Sequence, residues 1–390
     1  MAKTKNTITY GGWYQRTTLH LSEIYDFFIL GKSKLALNQK KLKALHKKLG
    51  LIEITREASY LEYIKAKTEQ GIEIRYYEDG LYILEICSDD IEKSKKQLEK
   101  YFHDFLNPAI TYIFSLGAPT PKLLANIEIN HPTIIRTTGA GDEMDKLSEK
   151  IGHIYNKISS QNVSVLKAHD YILVQVPNEN NSEATELVEN LIFFREFKDQ
   201  LEKYLQIHRD VWEEIAKIKD QKEISGKEVE NIRSKLDGYQ TAISLINNRI
   251  NQMGSYVRTR AAISKKVNVE SHLSTLFQFK FETLTDTLEY IKELWKMTNE
   301  YLLSSIQNLV EIKNQSTSRG IQSLQVITSI GVISAIIGFI TKNEFPKITA
   351  IGAAYFIGII AATWLLNYLI GKIYNNKKYS LNFKQRKEDI

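Results

Sequence analysis

Two uncharged stretches near the C-terminus decide the fold: IQSLQVITSIGVISAIIGFI at residues 321–340 and ITAIGAAYFIGIIAATWLLNYLI at residues 348–370. They run for twenty and twenty-three residues without a charged side chain. A helix of about 20 largely apolar residues can cross a bilayer core. The sequence therefore predicts transmembrane helices at 321–340 and 348–370 with a short external loop at 341–347. The alternative is a pair of buried core helices.

The charges that flank these stretches indicate their orientation. Cytoplasmic flanks of membrane helices carry an excess of Lys and Arg. Lys313 and Arg319 precede the first stretch, and the tail at 371–390 contains five lysines and one arginine. The N-terminus shows no apolar signal segment. We therefore predict an integral protein of a bacterial or archaeal inner or plasma membrane, in contact with the lipid bilayer, with both termini cytoplasmic.

Composition restricts the other classes of protein. The chain has 390 residues, 25% of them charged, and a formal net charge of +6. We assign the positive excess largely to the basic cytoplasmic tail, where anionic inner-leaflet lipid explains it. Since no RNA-binding signature is present, we expect no nucleic acid partner. The single cysteine, Cys87, fits a reducing compartment and is predicted to pack in a strand.

Residues 1–180 alternate strand-like and helix-like patterns, which predicts a cytoplasmic α/β domain. The predicted strands are TITYGGWY, LIEITREASYLEYI, IEIRYY, LYILEIC, AITYIFSL, NIEI, TIIRT, VSVL and YILVQV. The predicted helices are LALNQKKLKALHKKLG, IEKSKKQLEKYFHDFL and EMDKLSEKIGHIYNKI. The predicted fold class is an α+β cytoplasmic domain followed by a long α-helical hairpin and stalk and two C-terminal transmembrane helices.

From residue 181 the pattern becomes helical, and no proline occurs between Pro177 and Pro346. One helix is predicted over about 182–218, and Ser225 with Glu228 has the spacing of a capping box that starts a second. The second helix has apolar residues at alternating spacings of four and three, a heptad seam that predicts packing against partner helices. We therefore predict an antiparallel hairpin over 181–266.

A third helix repeats the heptad seam. Its positions are Phe281, Leu284, Leu288, Ile291, Trp295, Thr298, Leu302, Ser305, Leu309 and Ile312. No strong stop separates it from the first apolar stretch, so we predict a stalk over 267–320 that continues into that stretch. A continuous helix from about Glu270 to Ile340 would measure about 105 Å, which requires packing partners such as the hairpin and neighbouring subunits.

This order of elements resembles the CorA family of divalent-cation channels and transporters. The resemblance covers the whole chain. The family's Gly-Met-Asn signature follows its first span, and here that place holds Thr341, Lys342 and Asn343, of which only Asn343 matches. The basic end NNKKYSLNFKQRK is similar to the family's lysine-rich tail.

The resemblance implies a homopentamer whose five long helices line a pore, with the signature loop at its outer mouth and the cytoplasmic domain as gate. An Asn343 carbonyl would bind hydrated Mg²⁺ through its water shell, because Mg²⁺ dehydrates reluctantly. A ring of Lys342 ammonium groups would instead repel a dication. Mg²⁺ or another divalent cation is thus the expected transported or regulatory ion, and no other cofactor is expected.

Polar residues within the first span are candidates for the pore lining. Gln322, Gln325 and Ser329 share one helix face, and polar residues in a span usually face a bundle interior or water. A second row consists of Ser323, Gly331 and Ser334. The alternative is that both rows serve helix–helix packing, in which small residues allow close approach.

Nothing in the sequence indicates an enzyme. The eight histidines are scattered without metal-site spacing. The glycine-rich stretch with Gly139 and Gly141 lies between a predicted strand and a predicted helix, where backbone N–H groups can hold phosphate; a plain turn is the other interpretation. The acidic residues of the predicted helices could form metal sites between subunits or solvated helix faces: Glu213, Glu214, Glu282, Asp286, Glu289 and Glu293.

Three functions remain open at this point. The first is a CorA-like channel or transporter for divalent cations, gated by its cytoplasmic domain. The second is a membrane effector on the same scaffold, gated by a small signalling ligand of nucleotide type, because CorA-like proteins occur beside nucleotide-signalling CRISPR defence systems. The third is a non-conducting membrane-anchored scaffold.

Overall fold

The structure is a computed structural model that describes residues 6–15, 20–117, 132–138, 142–160, 163–176, 182–219, 223–278, 280–340 and 378–380, with scattered positions between 357 and 372. Its helices are α1 (Leu21–Leu30), α2 (Gln39–Leu49), α3 (Ile91–Tyr101), α4 (Asn107–Gly117), α5 (Asp142–Ile151), α6 (Ser182–Lys219), α7 (Gly226–Lys266), α8 (Glu270–Phe277) and α9 (Phe281–Ile340). One π-helical turn, Phe102–Leu106, joins α3 to α4.

A nine-stranded mixed sheet forms the centre of the N-terminal part. Its strands are β1 (Asn6–Trp13), β2 (Leu51–Ala58), β3 (Glu62–Thr68), β4 (Glu73–Tyr77), β5 (Leu81–Ser88), β6 (Thr133–Thr137), β7 (Ile154–Ser160), β8 (Val163–Ala168) and β9 (Tyr171–Gln175). They lie in the order β2-β3-β4-β5-β1-β6-β9-β8-β7, and only β6 and β9 pair in parallel. The predicted α+β class with long helices after it is confirmed.

Among the described residues, two apolar clusters lie against the sheet. The larger one places Phe27 and Phe28 of α1, Leu42 of α2 and Tyr101 of α3 together with side chains of β1, β3, β4 and β5. A smaller one joins α5 to β6, β8 and β9 around Ile135. Every residue of β1 and the first four residues of β5 and β9 are buried, whereas β7 alternates half-buried and exposed residues, as a strand with one solvent-facing side does.

Three predictions for the N-terminal domain were wrong in detail. AITYIFSL, predicted as a strand, lies in α4, because Ala109, Ile110, Ile113 and Phe114 are all buried at helical spacing. LIEITREASYLEYI is divided between β2 and β3. The helix predicted from EMDKLSEKIGHIYNKI ends at Ile151, and Gly152, with a φ of 84°, turns the chain into β7.

The described part of the C-terminal half is largely helical, as predicted. The capping box at the start of α7 is confirmed: the Ser225 N–H donates to Glu228 Oε2 at 2.9 Å, and the Glu228 N–H donates to Ser225 Oγ at 3.4 Å. A short strand at the hairpin turn, β10 (Glu223–Ser225), pairs antiparallel with β11 (Lys378–Ser380) in the basic tail. The tail therefore returns to the hairpin turn.

The prediction of one continuous helix from Glu270 was wrong. The chain leaves α8 through Gln278, whose φ of 58° is left-handed, and α9 begins at Phe281. A left-handed residue cannot continue a right-handed helix. The uninterrupted helix has 60 residues, which corresponds to about 90 Å.

The chain divides into two compact units, one of residues 1–207 and 244–295 and one of residues 208–243 and 296–390. A search of the described residues for a helix long and apolar enough to cross a membrane finds none. The predicted loop and most of the predicted second span lie outside the described residues.

Candidate functional site along the long helix

The first part of α9 is held firmly within the first unit. Leu284, Leu288, Ile291 and Trp295 are buried at alternating spacings of four and three residues, as the predicted seam requires. Trp295 is completely buried. Removing such a side chain costs about 3–5 kcal/mol, so this segment is anchored by its packing. The seam prediction is confirmed for these four residues.

The seam continues in the second unit. Thr298, Leu302, Ser305 and Leu309 are buried. Beside them the Tyr301 ring stacks on Trp212 of α6 at a centroid distance of 4.5 Å. Further along, Lys313 Nζ lies 2.7 Å from Glu230 Oε2 of α7. Here α9 packs with both helices of the hairpin.

The hairpin and the acidic residues of the helices form local ion pairs. Across the hairpin turn, Lys235 Nζ of α7 lies 2.7 Å from Glu214 Oε2 of α6, which brings the two helices side by side. Hydrogen bonds from Lys235 and Lys217 lower the pKa of Glu214. On α9, Glu289 pairs with Lys292 at 2.6 Å. In the part of the chain that the structure describes, no group of three His, Cys, Asp or Glu side chains is arranged to hold a metal ion.

The candidate pore-lining residues lie in the last third of α9. Gln322, Gln325 and Ser329 share one face of this helix, and Gln325 and Ser329 are exposed. The Gln322 side chain is outside the described residues. So are the whole residues of the signature, Thr341, Lys342 and Asn343, and of the glycine-rich stretch, Gly139 and Gly141.

A pocket lies where α8 ends and α9 begins. Its volume is about 740 Å³, within the usual range for small-molecule sites of about 300–1,000 Å³. It is lined by α6, by the end of α8 and by the first turns of α9: Lys198, Leu201, Glu202, Leu205, Phe277, Gln278, Lys280, Thr283, Leu284 and Thr287. Lys198 Nζ pairs with Glu202 at 3.6 Å. An occupant would touch the first turns of the long helix.

A buried charge network connects the sheet to α6. The Arg75 guanidinium of β4 lies 2.8 Å from Glu85 of β5 and 3.1 Å from Glu189 of α6. Tyr77 Oη donates a hydrogen bond to Glu189 at 2.7 Å. Burial raises the pKa of Glu189, and the positive charge of Arg75 opposes that rise. Since a buried charge without a partner is costly, this network fixes α6 to β4 and β5.

A second buried pair connects the sheet to α7. Arg260 donates to both carboxylate oxygens of Asp79, at 2.6 and 3.1 Å, and both side chains are at most 3% exposed. The guanidinium carbon lies 4.9 Å from the Tyr77 ring and 5.5 Å from the Phe193 ring. The turn between β4 and β5 is thereby attached to α7. This pair could not be predicted from the sequence, because its two residues are 181 positions apart.

One carboxyl group near this network titrates close to neutrality. Burial, followed by the negative charge of Glu189, raises the pKa of Glu186 to about 7. Asn190 donates to the Glu186 carbonyl oxygen at 2.8 Å. The charge of this part of α6 therefore changes near pH 7.

The distribution of positive charge differs from the prediction. Residues 31–50 contain seven lysines and no Asp or Glu, whereas the tail at 371–390 has six basic residues against Glu388 and Asp389. The tail thus carries a net charge of +4, and the prediction did not name the second cluster of positive charge at residues 31–50. The segment at 31–50 includes α2, and its seven lysines are exposed.

The lone cysteine does not pack into the core. Cys87 lies in β5, as predicted, but its side chain is exposed, with its Sγ 3.8 Å from Thr7 Oγ1. The prediction that it packs was wrong because position 87 lies on the outward face of the strand. A reactive thiol at position 87 would need a neighbouring group that activates it. The described contact of its Sγ is the Thr7 hydroxyl.

These elements define a class: an α+β body with long helices, one of which carries the first predicted span. No protein-family model matches the chain, and no curated protein matches it. Among solved structures the chain is similar to the CorA magnesium transporter of Methanocaldococcus jannaschii, with 12% identity over 64% of this chain and 92% of that one. The TM-score is 0.28, too low for any conclusion to be carried to this chain.

Proposed function

We propose that the chain is an oligomeric membrane channel or transporter for divalent metal cations, gated by its α+β body. The observation that carries this proposal is α9. One uninterrupted helix of 60 residues begins in the core of the first unit and ends with the twenty uncharged residues of the first predicted span. A movement of the body would act on the predicted span through this helix, whose 60 residues correspond to about 90 Å.

Two further features support the proposal. The pairing of β10 with β11 brings the tail back to the hairpin turn, as an even number of membrane crossings requires. The face with Gln325 and Ser329 is exposed in a single chain, and polar side chains in a span are expensive toward lipid. Several copies arranged around an axis would place this face on a water-filled pore.

Ion flux in reconstituted vesicles tests the proposal. The full chain is inserted into liposomes, and uptake of Mg²⁺, Co²⁺ and Ni²⁺ is followed with an enclosed metal indicator. We expect uptake of at least one of these ions and a multimeric mass of the purified protein, with five copies as the expected number. A monomeric protein would refute the proposal. Equal uptake of every ion by vesicles with and without the protein would refute it as well.

Cysteine substitution tests the lining in the same assay. In a Cys87→Ser background, Gln325→Cys and Ser329→Cys should lose flux when a water-soluble thiol reagent is added. Ile327→Cys, on the opposite side of the helix, is the matched control and should keep its flux. Equal protection of positions 325 and 329 in conducting vesicles would exclude this face as the lining.

The pocket at the start of α9 favours a second candidate, an effector whose pore opens when a small ligand binds the body. Its lining includes Thr283, Leu284 and Thr287 of α9 as well as α6, so a ligand there would contact the rod directly. In this case flux should appear only with a small-molecule fraction of cytosol. Thr287→Trp, which fills the pocket, should remove that response, and Asp286→Trp on the exposed face should not.

A further inference from the structure

A dense patch of lysines covers one side of the α+β body. Between Gly31 and Gly50 the chain has seven lysines and no acidic residue. We call this patch the lysine face, and it consists of Lys32, Lys34, Lys40, Lys41, Lys43, Lys47 and Lys48. Its formal charge exceeds the net charge of +6 of the whole chain.

The fold directs these side chains outward. The opposite side of α2 is fixed in the core by Leu42 and Leu49, which are at most 1% exposed. Asn38 caps the helix by accepting from the Lys40 and Lys41 N–H groups at 3.0 and 3.2 Å. With both its start and its apolar side fixed, α2 presents its lysines to solvent as a rigid array.

The charge of the lysine face is hardly neutralised within the chain. Over the described residues, the only carboxylate that pairs with it is Asp26, 3.8 Å from Lys34, and the Lys34 side chain is 77% exposed. An exposed pair at that distance contributes little. Lys41 Nζ lies 4.2 Å from the Tyr112 ring centroid, a contact that leaves its charge intact. The face therefore keeps a positive field of about seven charges.

Exposed aliphatic side chains border this field. Ile29 and Leu30, 41% and 56% exposed, end α1, next to the point where His46 Nε2 of α2 is hydrogen-bonded to the Phe28 carbonyl oxygen at 2.8 Å. At the other end of α2, the Asn38 N–H donates to Tyr112 Oη at 3.1 Å, and 55% exposed Leu116 follows Tyr112 by one helical turn. Aliphatic residues thus flank the lysines at both ends.

We propose that the lysine face docks on an anionic phospholipid surface, with its aliphatic rim entering the headgroup region. Clusters of four to eight basic residues on an amphipathic helix attract anionic lipid, and apolar side chains beside them add affinity. The face contains no arginine for bidentate phosphate contacts and offers no exposed aromatic platform for bases, which disfavours nucleic acid. This inference rests on the proposed membrane function.

Vesicle binding by the full chain tests the inference. The protein is held in nanodiscs of neutral phosphatidylcholine and mixed with sedimentable vesicles that contain about 30% phosphatidylglycerol or none. The variant Lys40→Gln, Lys43→Gln, Lys47→Gln, Lys48→Gln removes four charges from α2. Its matched control, Lys67→Gln, Lys93→Gln, Lys96→Gln, Lys100→Gln, removes four charges from exposed positions elsewhere on the body.

We expect the wild type to bind only the anionic vesicles. Each lysine near such a surface contributes about 1 kcal/mol, so the α2 variant should bind at least about 100-fold more weakly. The control should stay within about threefold. In nanodiscs that contain phosphatidylglycerol, acetylation of the α2 lysines should slow about tenfold, while Lys93 and Lys96 react as before.

Four outcomes would overturn the inference. These are no binding to anionic vesicles, equal loss in both variants, tighter binding of duplex DNA than of vesicles, and tighter binding of polyglutamate than of vesicles. Failure of the proposed function can be distinguished from failure of this inference. If alkaline carbonate extracts the chain from membranes, the chain is not an integral membrane protein, yet it can still bind vesicles through α2. In that case the docking surface stands and the channel does not.

Discussion

The buried ion pair between Arg260 and Asp79 offers the sharpest test of how the sheet is attached to the helical hairpin. The substitution Arg260→Gln removes the charge and the bidentate contact but keeps a polar side chain on α7. Asp79 then keeps the Leu81 N–H, at 3.1 Å, as the remaining donor among the described contacts of its carboxylate. A carboxylate that is 3% exposed is left without a counter-charge.

The expected cost follows from burial. Breaking one partner of a buried pair destabilises by about 3–5 kcal/mol, because the remaining charge stays desolvated. Loss of the contacts with the Tyr77 and Phe193 rings adds about 0.5–2 kcal/mol. For a unit of this size each kcal/mol lowers Tm by about 2–4 °C, so Tm should fall by about 10 °C or more.

Thermal unfolding followed by near-ultraviolet circular dichroism measures the effect on the full chain in detergent. Arg258→Gln is the matched control, because Arg258 lies on the same helix and is exposed, and it should change stability by at most about 0.5 kcal/mol. The double variant Asp79→Asn, Arg260→Gln should recover about 2 kcal/mol, since it removes the orphaned charge. If Arg260→Gln and Arg258→Gln unfold at the same temperature, the ion pair does not hold the β4–β5 turn against α7.

Three further predictions use the same unfolding assay. Gln278→Gly should stabilise by about 0.5–1 kcal/mol, because glycine takes a left-handed φ without strain; a loss would mean that the glutamine side chain has a role of its own. Ser225→Ala should lower the free energy of unfolding by about 1 kcal/mol, because it removes the capping box of α7. Ser225→Asp should keep most of this stability. The raised pKa of Glu186, about 7 against 4.5, gives stability that is complete below about pH 4.5 and is lost as pH rises through 7. As pH rises from 4.5 to 7, the free energy of unfolding of Glu186→Gln should therefore rise by about 1–2 kcal/mol relative to the wild type, after allowance for screening. Stability profiles of the two proteins that stay parallel over this pH range would contradict the prediction.

Periodic features were accessible from the sequence. The seam of α9 from Leu284 to Leu309 and the start of α7 at Ser225 depend on spacings within one helix, and the structure reproduces both. Local composition was less reliable. AITYIFSL is rich in β-branched and aromatic residues, yet it forms α4, because packing of Ile110 and Ile113 outweighs intrinsic strand preference.

The interruption of the long helix shows a different limit. Gln278 has a left-handed φ although neither glycine nor proline marks the place. Glutamine is a good helix former, so intrinsic propensity does not predict a break here. Leu276 and Phe277 before the break and Leu284 after it are buried. Since tertiary packing on both sides of a break leaves no local pattern in the sequence, the long helix was predicted to begin too early.

The net charge of the whole chain does not reveal the lysine face, which is the feature that bears most directly on binding partners. Seven positive charges lie between residues 31 and 50, so the rest of the chain sums to a formal charge of −1. The field outside a protein depends on local clusters, because charges more than about 8–10 Å apart are screened from each other at physiological salt. Acidic residues farther than this from the lysine face therefore reduce the total charge without weakening its field. Since the seven lysines of the face lie within one segment of twenty residues, we expect removal of the tail to leave vesicle binding by α2 unchanged.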